Sequence, residues 1–555
     1  MGSVTDMTRR YIVTPWLLFL PLFLYVGWEL LEYHCFPDPR VLERRQQYWR
    51  RASIRGSRGV IQDVRGNILA LSTAAASFFV DPQEWSASDA WMLRGIVPDA
   101  VVERVSAPME GRYVRLLRKT DRETAQRLKS LNLKGVHEEN EKKREYPNGP
   151  LLSHVLGFCD VDDNGQSGIE RAWDFVLYEP QDYKMMIRRA GGSQITVGDE
   201  GVYDRYLDVA AVTLTVDIRI QYIVEKYLGE AAEANGAKWA AALCLDPNDG
   251  AVLASASWPT FDPNSRSDMG RPENIRNNAF GMAYEPGSTF KPIFMGVALE
   301  SGLVRKNESF VCPGRLKIAD GYVSEAENKA MGTISTPELL IKSSNVGMAQ
   351  IGIRAVPSDM YRALRDWGFG KQSDIEIGGT EKGLIASPGQ WRGVVPANIA
   401  IGQGLAVTPL QLITASAAIV NGGRLLSPYI VKEAVNSNGT AVYKGRRTVL
   451  REVLTPDTCE WLRWTMRETV LRGTGTRAAT PVTEMAVKTG TAQVPEKGKY
   501  AEGRYVASIV GFWPYANPKY LVLLVIGEPS KGRYYGGELA APALKKIVEG
   551  MADIL

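Results

Sequence analysis

The chain has 555 residues, 45% of them hydrophobic and 23% charged, which is ordinary globular composition with room for more than one domain. Its 66 basic and 62 acidic residues leave a net charge of only +4, which gives no support to a nucleic-acid partner. Cys35, Cys159, Cys244, Cys312 and Cys459 form no C-x-x-C pair, and only three scattered histidines accompany them, so neither a zinc site nor any other metal or organic cofactor is indicated.

The first element is an apolar run from Tyr11 to Leu31. At about 1.5 Å per residue it would reach about 30 Å, enough to cross a bilayer core. The following Glu32-Tyr33-His34-Cys35-Phe36 offers no small-residue cleavage site, so residues 11–33 read as an uncleaved transmembrane helix after a short tail, 1–10. Arg9 and Arg10 precede the run while Arg40, Arg44, Arg45, Arg50 and Arg51 follow it, so counting positive charges leaves the orientation open.

Residues 37–210 are mixed in texture. Arg58 to Asp63 and Gly66 to Ala70 read as strand, turn and strand, Ser77 to Val80 as a further short strand, and Arg122 to Leu131 as a polar helix. A second domain, 211–555, follows. Trp239 to Asp246 and Ala251 to Trp258 are strand-like runs joined by the turn signal Pro247-Asn248-Asp249-Gly250. A mostly helical stretch then runs to about Leu471, before three more strand-like runs, Met485 to Gln493, Tyr505 to Trp513 and Tyr520 to Gly527. The pattern predicts an α+β domain whose single antiparallel sheet is formed from both ends and covered by helices.

Chemistry concentrates on Ser288-Thr289-Phe290-Lys291, the only S-x-x-K in the sequence, in a region without histidine. A nucleophilic Ser288 would need another proton acceptor, and Lys291, three residues on along a helix that continues to about Glu300, shares its face. Pro292 fits the first turn of that helix. Burial would lower the lysine pKa, as a general base near neutral pH requires. Two short motifs follow: Ser343-Ser344-Asn345, after a helical segment Thr336 to Ile341, and Lys488-Thr489-Gly490-Thr491, inside a predicted strand. Each alone is commonplace, a helix cap or a strand bulge. Together and in this order they resemble the S-x-x-K, S-D-N and K-T-G signature of class A β-lactamases and penicillin-binding proteins, from which this chain departs by having Ser344 in place of Asp, a middle position that supplies neither the named serine nor the asparagine.

With these motifs the chain resembles a class B penicillin-binding protein, a peptidoglycan D,D-transpeptidase. Arg58-Gly59-Val60-Ile61-Gln62-Asp63, Tyr146-Pro147, Ser153-His154-Val155-Leu156-Gly157 and Gly168-Ile169-Glu170 resemble the non-catalytic, dimerisation-like pedestal of that class. Tyr284 to Ser288, Lys342 to Gly347, Thr408 to Leu412 and Tyr534-Tyr535-Gly536-Gly537 look most like its division-specific branch. The resemblance implies a penicillin-binding/transpeptidase fold behind a mixed pedestal and one N-terminal transmembrane helix. It also implies the roles. Ser288 attacks the carbonyl between two D-alanines of a stem pentapeptide and Lys291 takes its proton. Ser343 relays a proton to the leaving D-alanine, and Asn345 holds the donor peptide and Lys291. Lys488 supplies positive charge near the substrate carboxylate, to which Thr489 and Thr491 donate hydrogen bonds, while Gly490 lets substrate lie against the strand. The backbone N–H groups of Ser288 and Thr491 form the oxyanion hole. An acceptor amine completes the cross-link and β-lactam antibiotics inhibit.

Such a substrate exists only outside the cytoplasm, so the resemblance implies a single-pass protein of the bacterial inner membrane, with N-terminus cytoplasmic and catalytic domain periplasmic. Its expected partners are a polytopic lipid-linked glycosyltransferase and other division proteins. The alternatives are an elongation-type or sporulation-type transpeptidase, a β-lactamase, a β-lactam sensor, or a scaffold with a decayed site. Glu381-x-x-Leu384 superficially matches a deacylating loop of β-lactamases, but Ile385 stands where its asparagine belongs.

Overall fold

The computed structural model describes residues 19–31, 49–52, 58–111, 113–178, 184–188, 194–197, 210–319, 321–496 and 499–554. Residues 19–31 are helical, whereas 11–18 and 32–33 of the expected span, like Cys35, lie outside the described residues. Among the described residues no helix is long and apolar enough to cross a membrane. A small unit drawn from residues 1–56 and 180–208 contains strands Trp49–Ala52, Lys184–Arg188 and Gln194–Val197, paired antiparallel in that order. The rest of the chain, 57–179 and 209–555, is a second unit and carries every candidate site residue.

In that unit, strands β1 (Val60–Gln62), β2 (Ile68–Val80), β3 (Val114–Thr120) and β4 (Val136–Glu145) build the pedestal. The expected hairpin is β1–β2, but Ser77 to Val80 is the far end of β2 rather than a separate strand, because pairing to β3 and β4 carries it on past the apolar start. Next in the chain come β5 (Ala211–Leu214), helix α1 (Ile218–Asn235), β6 (Trp239–Leu245) and β7 (Val252–Trp258). The serine turn (Gly287–Phe290) leads into α2 (Lys291–Glu300), followed by α3 (Thr336–Ile341), α4 (Asn345–Gly352) and α5 (Pro409–Val420). The last elements are β8 (Val431–Val435), β9 (Ala441–Lys444), α6 (Pro456–Arg472), β10 (Ala486–Glu496), β11 (Lys499–Trp513), β12 (Tyr520–Gly527) and α7 (Gly536–Ala552).

The catalytic sheet is five-stranded and antiparallel throughout, ordered β7-β6-β12-β11-β10, so its strands do come from both ends of the domain as the sequence predicts. All seven residues of β6 are buried, and the strand period of two sends them alternately to two cores. Ala240, Ala242 and Cys244 face one core with Val224 and Leu228 of α1 and Leu544 and Ile547 of α7. Ala241, Leu243 and Leu245 face the other, with Ile293 and Phe294 of α2 and Leu412 and Ile413 of α5. The sheet is therefore the middle of three layers, which explains the nearly unbroken apolar runs of β6 and β12. β10 and β11 extend beyond the expected Gln493 and Tyr505 because their ladder continues as a partly exposed arm to the pair Glu496 and Lys499. Cys159, Cys244, Cys312 and Cys459 are free thiols.

Strand pairing crosses the expected boundary at 210/211. β5 pairs in parallel with β1 and antiparallel with β8, so a seven-stranded sheet joins pedestal strands to strands drawn from the catalytic half. Around it the pedestal motifs converge. Arg58 Nε and Arg144 Nε donate to the two oxygens of Glu170 at 2.5 and 2.7 Å, Tyr146 donates from its hydroxyl at 3.2 Å, and Arg58 Nη1 reaches Asp174 at 2.7 Å. Burial pushes the Glu170 carboxyl up, but Arg144 and Arg58 outweigh it and hold the group below the ordinary carboxylate value. Asp63 organises the adjacent turn by accepting from the N–H groups of Arg65, Asn67 and Ile218.

Candidate active site

The nucleophile sits where a turn is pressed onto an edge strand. Pro286 and Gly287 open the serine turn, Thr289 donates from its hydroxyl to the Pro286 carbonyl at 2.7 Å, and Pro292 lies in the first turn of α2, where its missing N–H costs no helical bond. Gly287 adopts φ +55, and a Cβ there would lie 2.9 Å from the Thr491 carbonyl oxygen, so only glycine lets the turn approach β10 this closely. In a strand a residue's N–H and C=O project to the same side. The Thr491 N–H therefore points toward the Ser288 turn, as an oxyanion-hole donor must.

Lys291 is fully buried and surrounded by oxygen. Its Nζ donates to the Ser343 carbonyl at 2.7 Å, to Asn345 Oδ1 at 2.7 Å, to the Ser344 carbonyl at 3.2 Å and to Ser343 Oγ at 3.3 Å. Among the described residues no hydrogen bond joins Lys291 to Ser288; the amine is held against the Ser343 turn. Burial drives the Lys291 ammonium down to about 7, with Glu325 pulling the other way.

Lys488, also fully buried, donates to Ser343 Oγ and to the Thr489 carbonyl, both at 2.8 Å. Burial, and then the neighbouring Lys291, hold its ammonium well below the usual lysine value. Two amines thus share one hydroxyl in a buried pocket, which disfavours charge on both at once. Ser343 Oγ links both lysines, and its backbone is left-handed at φ +58.

Two expectations about β10 change. A Cβ on Gly490 would meet Ser508 Oγ at 2.5 Å, Thr289 Cγ2 at 2.9 Å and Thr289 N at 3.1 Å. Gly490 is therefore required by the contact between strand and serine turn, since the space beside it is filled by protein and is not open to substrate. The Thr489 hydroxyl is engaged as well, 2.6 Å from the hydroxyl of Thr474. Thr491 Oγ1 accepts from the Gly536 N–H at 3.0 Å, which leaves its own proton to donate.

Sequence reasoning missed Glu325 and Thr474. Glu325 lies just after a hairpin formed by Arg315–Ile318 and Gly321–Ser324 and grips the Ser343-Ser344-Asn345 motif from behind, while Thr474 follows α6 and backs Thr489. Neither belongs to a short motif, so no local signal marks them. Glu381 donates its N–H to the Phe280 carbonyl and Leu384 pairs with Ala406, and among the described residues no hydrogen bond joins either to this cluster.

A serine at a helix start, a buried amine of lowered pKa behind it, a hydroxyl bridging to a second amine and a strand N–H facing the serine define an active-site-serine acyl-transfer protein. Residues 240–549 match the penicillin binding protein transpeptidase domain and residues 53–203 the penicillin-binding protein dimerisation domain, and the chain belongs to this transpeptidase family. It is 31% identical to the probable peptidoglycan D,D-transpeptidase PenA of Neisseria gonorrhoeae, over 91% of this chain and 86% of that protein. It is also 31% identical to the peptidoglycan D,D-transpeptidase FtsI of Escherichia coli, over 93% of this chain and 86% of that one. Among solved structures, penicillin binding protein 3 of Mycobacterium tuberculosis complexed with aztreonam superposes with a TM-score of 0.69 at 27% identity, covering 90% of this chain and 96% of that chain.

Proposed function

We propose that this chain is a membrane-anchored serine D,D-transpeptidase that cross-links peptidoglycan stem peptides during septal wall synthesis. It is an enzyme of acyl transfer. Ser288 Oγ attacks the carbonyl between the terminal D-alanines while Lys291, as free base, takes the hydroxyl proton. The backbone N–H groups of Ser288 and Thr491 receive the oxyanion, a contribution of a few kcal/mol to the transition state. Collapse breaks the peptide bond. The leaving nitrogen gains a proton from Lys291 through Ser343, D-alanine departs, and Ser288 carries an ester. An acceptor amine then attacks that ester, its proton returns along the same groups, and Ser288 is restored. A β-lactam follows the first half, but its ring amide opens without releasing a fragment, so the adduct stays.

The observation that carries this reading is the position of Ser343 Oγ, 3.3 Å from Lys291 and 2.8 Å from Lys488, which makes one proton path from the base to the far side of the site. The apolar run 11–31 supports the anchor, and a wall substrate supports N-terminus in and catalytic lobe out. The motifs around Tyr284, Lys342, Thr408 and Tyr534 support a septal role beside a lipid-linked glycosyltransferase and other division proteins.

Incubating the full chain with a labelled penicillin should give a stable, stoichiometric mass increase on Ser288 that Ser288→Ala abolishes. No adduct, or one that survives the substitution, refutes the assignment, and rapid adduct hydrolysis points to a β-lactamase instead. Depletion in the parent cell should give filaments; rounding would move the role to the lateral wall.

A further inference from the structure

Glu325 belongs to no sequence motif, yet its carboxylate is hydrogen-bonded to three successive residues behind the catalytic turn, Ser344, Asn345 and Val346. It is 3% exposed and fixed at the base of its hairpin, its N–H donating to the Gly314 carbonyl at 2.9 Å and its own carbonyl accepting from the Asn328 N–H at 3.0 Å. Its Oε1 accepts from Ser344 Oγ at 2.5 Å and from the Val346 N–H at 3.2 Å, and its Oε2 accepts from the Asn345 N–H at 2.7 Å. These are the first N–H groups of α4, which would otherwise lack partners, and Ser344 caps the next one, accepting from the Gly347 N–H at 3.0 Å. From the same hairpin the Ser324 carbonyl accepts from Asn345 Nδ2 at 2.9 Å, which turns Asn345 Oδ1 toward Lys291.

We infer that Glu325 is a positioning residue for acyl transfer: its carboxylate holds the left-handed Ser343 turn and supplies the negative charge that faces the Lys291 amine. This goes beyond the transpeptidase reading but rests on it.

Two physical requirements meet at this one group. Ser343 at φ +58 is in the left-handed region, which is unfavourable for a residue with a side chain, so something must hold it there. The three bonds to residues 344–346 pin the chain immediately after it. That conformation is what directs both the Ser343 carbonyl and its hydroxyl at Lys291. The second requirement is charge. When Lys291 takes the Ser288 proton it becomes a buried ammonium, and among the described residues no carboxylate is hydrogen-bonded to Lys291 or Lys488. Glu325 is the anion whose field raises the proton affinity of Lys291. The titratable groups facing Lys291 are Glu325 and Lys488; those facing Glu325 are Lys291 and the Cys312 thiol, which lies 3.4 Å from Ser344 Oγ. Glu325 touches no reacting atom and acts through Ser343, Asn345 and Lys291.

A helix cap alone would account for the hydrogen bonds but not for the charge, so pH separates the two roles. Penicillin acylation of Ser288 is followed in the full chain, in Glu325→Gln and in Glu325→Asp from pH 5.5 to 9, with thermal unfolding as a check on folding. Glu325→Gln should acylate about tenfold more slowly at its plateau, and its acid limb should move to lower pH by roughly one unit, because losing the anion makes Lys291 easier to deprotonate. Glu325→Asp should acylate slowly with its limb in the native place, since the charge remains while the reach shortens. A limb that stays put in Glu325→Gln, or one displaced equally in Glu325→Asp, overturns the inference. A native chain not acylated at Ser288 would instead refute the transpeptidase reading, so the two failures are distinguishable.

Discussion

The rate of penicillin acylation should report the titration of Lys291. Burial brings its ammonium to about 7 against the opposing pull of Glu325, and only the free base can take the Ser288 proton. The free-base fraction is then roughly 10% at pH 6, half at pH 7 and roughly 90% at pH 8. The second-order acylation constant should climb about tenfold from pH 6 to pH 8 and level off above. A lysine at its ordinary value would climb about 100-fold over the same interval with no plateau, and less than about 1% of it would be free base at pH 8. The measurement is the adduct formed on the full chain at fixed ionic strength, sampled across that interval, with melting curves confirming a folded protein at each pH. A flat rate, or one still rising tenfold per pH unit above pH 8, refutes Lys291 as the base. The same displacement has a thermodynamic sign. The unfolded lysine holds its proton up to 10.5 while the buried one releases it near 7, so folding stability rises with pH across that window. Below it the site carries its full cost, on the order of 5 kcal/mol.

Gly490→Ala should leave the fold intact but slow acylation by about tenfold or more, because its methyl group would push Thr289, and Ser288 with it, out of line; an unchanged rate would show that the turn yields freely. Glu170→Ala leaves Arg58 and Arg144 buried without their shared counter-charge and should lower stability in chemical denaturation by about 3–5 kcal/mol. A loss under about 1 kcal/mol there would mean that Asp174 and backbone carbonyls suffice.

The catalytic sheet was legible because its strands are buried on both faces and read as apolar runs, and because Pro247 to Gly250 marks a hairpin by local chemistry. The ends of β10 and β11 were not, since beyond Gln493 the ladder is held by backbone pairing with exposed side chains, and hydrophobicity has nothing to report there. Ser288, Lys291, Ser343, Asn345 and Lys488 were recognisable by order and spacing, and the structure does draw the last four into one hydrogen-bonded cluster beside the serine turn. Spacing could not say what Gly490 is for, because its neighbours Thr289 and Ser508 are distant in sequence. Glu325 and Thr474 were invisible for a related reason: their value lies in where the fold delivers them. The lowered proton affinity of Lys488 could not be read either, since two lysines 197 positions apart (488 − 291) show their mutual repulsion only once one hydroxyl holds both.

The sheet that crosses the 210/211 boundary bears on how the protein can be divided. The Thr215 hydroxyl donates to the Val252 carbonyl at 2.6 Å, and the Val252 N–H to the Tyr429 carbonyl at 2.9 Å, so the pedestal sheet is stitched directly to the first residue of β7. Ile61, Leu69, Val212 and Leu214 share one continuous core with Phe290 and Phe294 behind the nucleophile. A fragment starting at residue 211 would bare the edge of β5 and strip the far wall from that core. The pedestal is therefore no detachable stalk: the smallest heritable piece of this catalyst includes it, and recombination between relatives that cuts at this border would separate halves of one folding unit.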